Sequence, residues 1–169
     1  EMHFHPIGPN AAEFAAGYTD DDQFEFMEFV NTSASTLSLA GVHFNTNGGG
    51  VTFSFDASDS LAAGERGVIV SDLAAFTARY GESINVLGTY AGRLSNGGES
   101  LDLEDGTNST IHEFRYEDGT GTGEAAWPQA PDGNGPALVV VDTEGDYSAG
   151  TNWVASSLTH GSPGTDDIP

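Results

Sequence analysis

Gly92-Arg93-Leu94-Ser95-Asn96-Gly97-Gly98-Glu99-Ser100-Leu101-Asp102-Leu103-Glu104-Asp105-Gly106 is the stretch whose reading decides the fold. Asn96-Gly97-Gly98 supplies residues that tolerate positive φ, Leu101 and Leu103 then alternate with carboxylates, and Asp105-Gly106 is a second turn signal. Alternation held between two tight turns predicts a half-buried β-strand. Glu99 and Asp102 are expected on the solvated face opposite Leu101 and Leu103, or as strand-edge charge that discourages aggregation. Nothing in the stretch can act as a nucleophile beside a base, cradle a phosphate or close a metal shell. The pattern speaks for architecture.

Upstream, Val51, Phe53 and Phe55 alternate with Thr52 and Ser54 after the turn Asn45-Thr46-Asn47-Gly48-Gly49-Gly50. Leu37, Leu39, Gly41, Val42 and Phe44 precede that turn, so the two runs predict a hairpin. Leu61-Ala62-Ala63-Gly64-Glu65 turns the chain into a strand at Gly67-Val68-Ile69-Val70. One helix follows: Ser71 or Asp72 can cap it, Leu73, Phe76 and Tyr80 share a face, and Gly81 stands where a C-terminal cap belongs. Between Gln23 and Asn31 the parity shifts, because Phe24 and Phe26 point one way and Met27 and Phe29 the other. A β-bulge near Met27 is the preferred explanation, with burial on both faces the alternative. Residues 1–7 read as a strand with Glu1, His3 and His5 on one face and Met2 and Phe4 on the other, ended by Pro6. Asn10 to Tyr18 has room for a helical turn or two.

Downstream, Ile84 to Leu87, Ile111 to Tyr116 and Ala137 to Asp142 read as extended, and Asn152-Trp153 through Gly164 as loop. The irregular segment 117–136 carries Trp127, expected to plug the end of a core. Eight to ten short strands with one convincing helix predict an all-β sandwich or barrel. Reading Val68 to Leu87 as a βαβ unit of an α/β fold would require helices between other strands, and the sequence supplies none.

The 169 residues suit one domain, and 26 acidic residues against four Arg and no Lys give a formal charge of −22. That field repels phosphate backbones and anionic membranes, which argues against nucleic-acid partners. Salt or divalent cations would relieve it, which suggests saline or calcium-containing surroundings, with solubility alone the other reading of the charge. There is no Cys, and no apolar run approaches the ~20 residues that cross a bilayer, so membrane insertion is not expected. A start at Glu1 without an initiator Met reads as a mature or excised piece.

The succession Glu25-Phe26-Met27-Glu28-Phe29-Val30-Asn31, Leu37-Ser38-Leu39-Ala40-Gly41, Leu61-Ala62-Ala63-Gly64-Glu65, Phe76 through Tyr80-Gly81 and Leu94 through Leu103 resembles bacterial lamin-tail domains. Trp127-Pro128, Asp132-Gly133-Asn134-Gly135, Asn152-Trp153, Ala155-Ser156 and Gly161-Ser162-Pro163-Gly164 resemble the extended form found in large secreted bacterial proteins. The resemblance implies an immunoglobulin-like β-sandwich with one short helix near residues 72–80, spanning 1–169 as a single domain. Its parts are an N-terminal strand and acidic loop (1–22), a main body (23–116), a Gly/Pro-rich loop (117–136) and a last strand with C-terminal loop (137–169). It implies a non-catalytic module, secreted or at the cell surface, whose partners are other protein domains or cell-surface components. Ala63 stands where the family often has Pro, and residues 117–126 form a lengthened loop.

Candidate chemistry is sparse. Asp20, Asp21 and Asp22 are the first candidates for calcium, ahead of Asp105, Asp118 and Asp132, although none follows the spaced twelve-residue calcium loop. Glu1, His3 and His5 could share a zinc or copper ion, but a further protein ligand cannot be named and solvent-facing terminal residues explain them better. Paired carboxylates could run glycoside hydrolysis, yet some pair at a suitable distance is inevitable among so many, and Gly-x-Ser-x-Gly is absent. Trp127, Tyr18, Tyr90 and Tyr147 could stack on sugars, but core or loop packing is the expected use of each. The expected function is therefore a structural or protein-interaction module that is not an enzyme and requires no cofactor. A carbohydrate-binding or calcium-stabilised adhesion module is the alternative.

Overall fold

The hairpin expected from the decisive stretch forms between β10 (Glu99–Glu104) and β11 (Thr110–Tyr116), in a computed structural model that describes residues 1–45 and 50–167. Asp105 shapes its turn by accepting from the amides of Thr107 and Ser109 at 2.8 and 3.0 Å. At the other end Gly98 adopts φ 85°, and a Cβ there would lie 2.4 Å from the Tyr116 carbonyl oxygen, so the position demands glycine. One expectation fails. Counting by twos puts Glu99 on the face of Leu101, and Glu99 is buried with it, while Asp102 keeps to the opposite side.

The largest sheet has the order β13 (Trp153–Ala155), β12 (Leu138–Val140), β1 (Met2–His3), β2 (Phe26–Val30), β7 (Arg66–Val70), β8 (Val86–Thr89). Strand β2 pairs β1 and β7 in unbroken register, from Phe26 opposite Val70 to Val30 opposite Arg66, so the expected bulge near Met27 is absent. The parity shift has the other cause: both faces of β2 are covered. Met27 joins a core between this sheet and the smaller ones, whereas Phe26 joins Val68, Val70 and Phe76 under a helix. That helix, α2 (Leu73–Tyr80), is capped by Asp72 and ended by Gly81 at φ 85°, as expected, although Leu73 is 49% exposed and does not share the buried face.

Strands β7 and β8 are parallel, which makes β7–α2–β8 a true βαβ crossover set in an otherwise antiparallel, strand-rich fold. Among the described residues there are three smaller sheets: β11–β10–β4 (His43–Phe44), β3 (Leu37–Ser38) with β6 (Ser60–Leu61), and β5 (Val51–Thr52) with β9 (Ala91–Gly92). The run expected as one strand from Leu37 to Phe44 is broken at Gly41, where φ is 81°. Its hairpin partner is correct, since Phe44 donates to the Phe53 carbonyl and Phe55 to that of Val42. The turn residues 46–49 lie outside the described residues.

A short helix, α1 (Ala11–Ala15), begins at a capping box between Asn10 and Glu13. Near the C-terminus Trp153–Ala155, expected as loop, extends the large sheet by pairing with β12. No helix among the described residues is long and apolar enough to cross a membrane.

Candidate functional site

The main core has two ends, and both are set by β2 and the β10–β11 hairpin. At the end holding Glu25, Glu99 and Tyr116, polar groups are buried in a connected network. Glu25 Oε2 accepts from the Tyr90 hydroxyl at 2.8 Å and the Leu94 amide at 3.0 Å. Glu99 accepts from the amides of Gly50 at 2.6 Å and Ser95 at 3.0 Å. The Tyr116 hydroxyl is 2.8 Å from the Ser95 carbonyl and 3.2 Å from Glu99 Oε1. Five donors thus converge on two carboxyls, and they tie down the chain from Tyr90 to Glu99.

Burial pushes the Glu25 carboxyl up to about 8, against the lowering effect of the Leu94 and Tyr90 bonds and with the help of the negative charges of Asp22 and Glu99. Glu25 is therefore protonated at neutral pH, which spares the core an unpaired charge. Burial first, and the carboxyls beside them, raise the Tyr90 and Tyr116 hydroxyls as well. Such a group could serve as a general acid in an open site. Here Glu25 is fully buried, with its Oε2 already taken by two donors of the same chain.

The other end is aromatic. Trp153 stacks on Phe114 at 5.8 Å and on Trp127 at 6.0 Å, and Tyr147 meets it edge-on at 5.6 Å. The Trp153 indole N–H donates to the Tyr147 carbonyl at 2.8 Å. Trp127 is only 7% exposed, and Gly150 lies so close that a Cβ there would fall 2.7 Å from its ring. The ring thus plugs the core and offers no open face for a sugar. Beside this group lies a cavity of about 260 Å³ whose wall includes Leu103, His112, Phe114 and Val140.

The calcium candidates do come together: Asp20, Asp21 and Asp22 can each place an oxygen within 4.8 Å of the others. Each also has a partner in the chain. Asp20 caps a 3-10 turn through the Asp22 amide, Asp21 lies 3.3 Å from Nε2 of His5, and Asp22 binds Arg93 at 3.1 Å. A cation would have to compete with Arg93 and His5 for these oxygens. Asp105 and Asp118 serve as turn caps, and Asp132 holds Nδ1 of His5 at 2.5 Å.

Glu1, His3 and His5 do not converge on one another. Glu1 accepts from the Ser162 amide at 2.9 Å, His5 bridges Asp132 and Asp21, and His3 is buried edge-on against Phe26 at 5.6 Å. Burial lowers the His3 imidazole to about 3, so it is neutral rather than solvent-facing and charged. The chain matches no family model and no curated protein. Sequence reading placed Trp127 as the plug of a core end, as found, and missed the polar end. For Glu25 and Glu99 a signal existed: each falls in phase with, or next to, the buried apolar residues of its strand.

Proposed function

We propose that this chain is a non-catalytic module of the lamin-tail type, immunoglobulin-like in its sheet-on-sheet core, that serves as a spacer or protein-interaction unit in a larger exported protein. The observation that carries the reading is where the buried polar side chains are spent. Glu13 holds Arg79, Glu28 holds Arg66 and the Gly164 amide, and Asn31 donates to the carbonyls of Ser35, Leu61 and Ala62. With Glu25 and Glu99 these groups fasten loops to strands; Glu28 and Glu99 also border clefts, but their carboxylate oxygens are taken by donors of the same chain. The domain-length order of lamin-tail-like motifs supports the same reading.

On this reading the partners are other protein domains or cell-surface components, and the protein is secreted or displayed at the surface. The charge of −22 favours a surface that stays dispersed in salt and repels nucleic acid. The reading requires no cofactor. Calcium enters as a stabiliser only through Asp20, Asp21 and Asp22, whose proximity is the one observation favouring the adhesion variant.

Glycan arrays and polysaccharide-turnover assays on the purified chain, with cross-linking of the full-length parent on intact cells, test the proposal. The expected result is cross-linked protein partners with neither glycan binding nor turnover. Glycan binding that disappears in Tyr18→Ala or Tyr147→Ala would replace it with a carbohydrate-binding module, and turnover abolished by one carboxylate substitution would replace it with an enzyme.

A further inference from the structure

Two Asn-x-Ser/Thr triplets stand in the sequence, Asn31-Thr32-Ser33 and Asn108-Ser109-Thr110. Each has the pattern that N-linked glycosylation requires: an amide nitrogen to carry the sugar and a hydroxyl two residues on for the transferase to read, with no Pro between. The fold treats them oppositely. Asn31 is 2% exposed, and its Nδ2 donates to the carbonyls of Ser35 at 2.8 Å, Leu61 at 2.8 Å and Ala62 at 3.1 Å. A sugar on that nitrogen would break these bonds inside the protein, so this triplet is closed in the folded chain.

Asn108 sits at the tip of the β10–β11 hairpin, in a run from Gly106 to Ile111 that is exposed throughout. Asp105 makes the turn by accepting from the Thr107 and Ser109 amides, and the Asn108 amide is tied back to the Asp105 carbonyl at 2.9 Å. These bonds hold Asn108 at φ 61°, a left-handed conformation that asparagine tolerates, without using its side chain. Among the described residues neither the Asn108 carboxamide nor the Thr110 hydroxyl has a hydrogen-bond partner, so both are free to engage a transferase.

We propose that Asn108 is the attachment site of an N-linked glycan. This inference rests on the reading of the chain as an exported module, since the pattern marks surface loops of secreted proteins. In the reaction Nδ2 of Asn108 bonds to the anomeric carbon of a glycan activated as a lipid diphosphate, and the bond from that carbon to the phosphate oxygen breaks. The lipid diphosphate leaves, and the proton lost by the nitrogen passes to a base of the transferase. Among the described residues β11 is an edge strand, in the order β11–β10–β4, and Ile111 beside the triplet is 52% exposed. A bulky hydrated glycan at the start of that strand shields its edge from pairing with another chain.

The test is transfer from a lipid-linked oligosaccharide to the folded full chain by a purified oligosaccharyltransferase, read site by site by peptide mass spectrometry. The expected result is modification of Asn108 and not of Asn31. Thr110→Val should lower transfer to Asn108 at least about a hundredfold, whereas Thr110→Ser should retain it. A bare Asn108, or modification of Asn31 in the folded chain, overturns the proposal. So does transfer that survives in Thr110→Val. In the protein recovered from the surface or medium of its own cells, the Asn108 peptide should carry the mass of a glycan, and a bare peptide there also overturns the proposal. Protein found only inside the cell would refute the export reading instead, and the transfer assay would still decide whether Asn108 is the acceptor.

Discussion

The two ends of the β10–β11 hairpin share the same strands and bury similar side chains, yet they are closed by different physics. At the Glu99–Tyr116 end closure is directional: two carboxyls, two tyrosine hydroxyls and three backbone amides must all be in place, so the geometry is fixed, and the cleft of about 330 Å³ there is bordered by the network's own Gly50, Leu94, Ser95 and Glu99. At the Leu103–His112 end it is non-directional: Trp153, Phe114, Tyr147 and Trp127 lean together by ring contact, and about 260 Å³ is left over. Hydrogen-bonded closure specifies one arrangement, whereas ring contact leaves the arrangement more latitude.

The largest effect should come from breaking the aromatic end. Trp153→Ala is expected to cost about 3–5 kcal/mol in urea denaturation, because the ring touches three aromatic neighbours and loses its bond to Tyr147; a loss below ~1 kcal/mol would mean that the ring does not close the core. Next comes Glu25→Ala, expected to cost about 2–4 kcal/mol by stranding the Tyr90 hydroxyl and the Leu94 amide. Tyr116→Phe should cost only about 1 kcal/mol, since Glu99 keeps its two amide donors. A Tyr116→Phe loss equal to that of Glu25→Ala would show that the two carboxyls act as one unit.

The large-scale pattern was legible because it depends on period and punctuation. Asn96-Gly97-Gly98 and Asp105 announced the hairpin, and Asp72 with Gly81 announced the helix. The chain from β7 to β8 was read as strand, helix and extended segment, but their parallel pairing was not, since parallel partners are chosen by packing across the crossover rather than by any local residue. The bulge expected near Met27 failed for a related reason: a strand covered on both faces loses its alternation, and one sequence cannot distinguish that from a slipped register. Glu25 and Glu99 escaped notice because a carboxylate in a strand reads as solvated. Only the meeting of Tyr90, Leu94, Ser95 and Gly50 around them makes their burial tolerable.

The smallest effect concerns the surface that surrounds both ends. With a formal charge of −22, added NaCl should raise the melting temperature by a few degrees through screening. Calcium at equal ionic strength should exceed magnesium only if Asp20, Asp21 and Asp22 hold the ion together; coincident calcium and magnesium melting curves would rule that site out.

Contrast between the ends rests above all on Glu25 being held as a neutral acid. Its folded value lies above the ordinary 4.5, so the stability it contributes is present below about 4.5 and is lost as pH rises through about 8. Glu25→Gln should therefore flatten the decline in stability over that window. The most direct measurement is an NMR titration of the Glu25 side-chain carboxyl carbon in the native protein: a midpoint near 8 is the result expected, and a midpoint near 4.5 would contradict it.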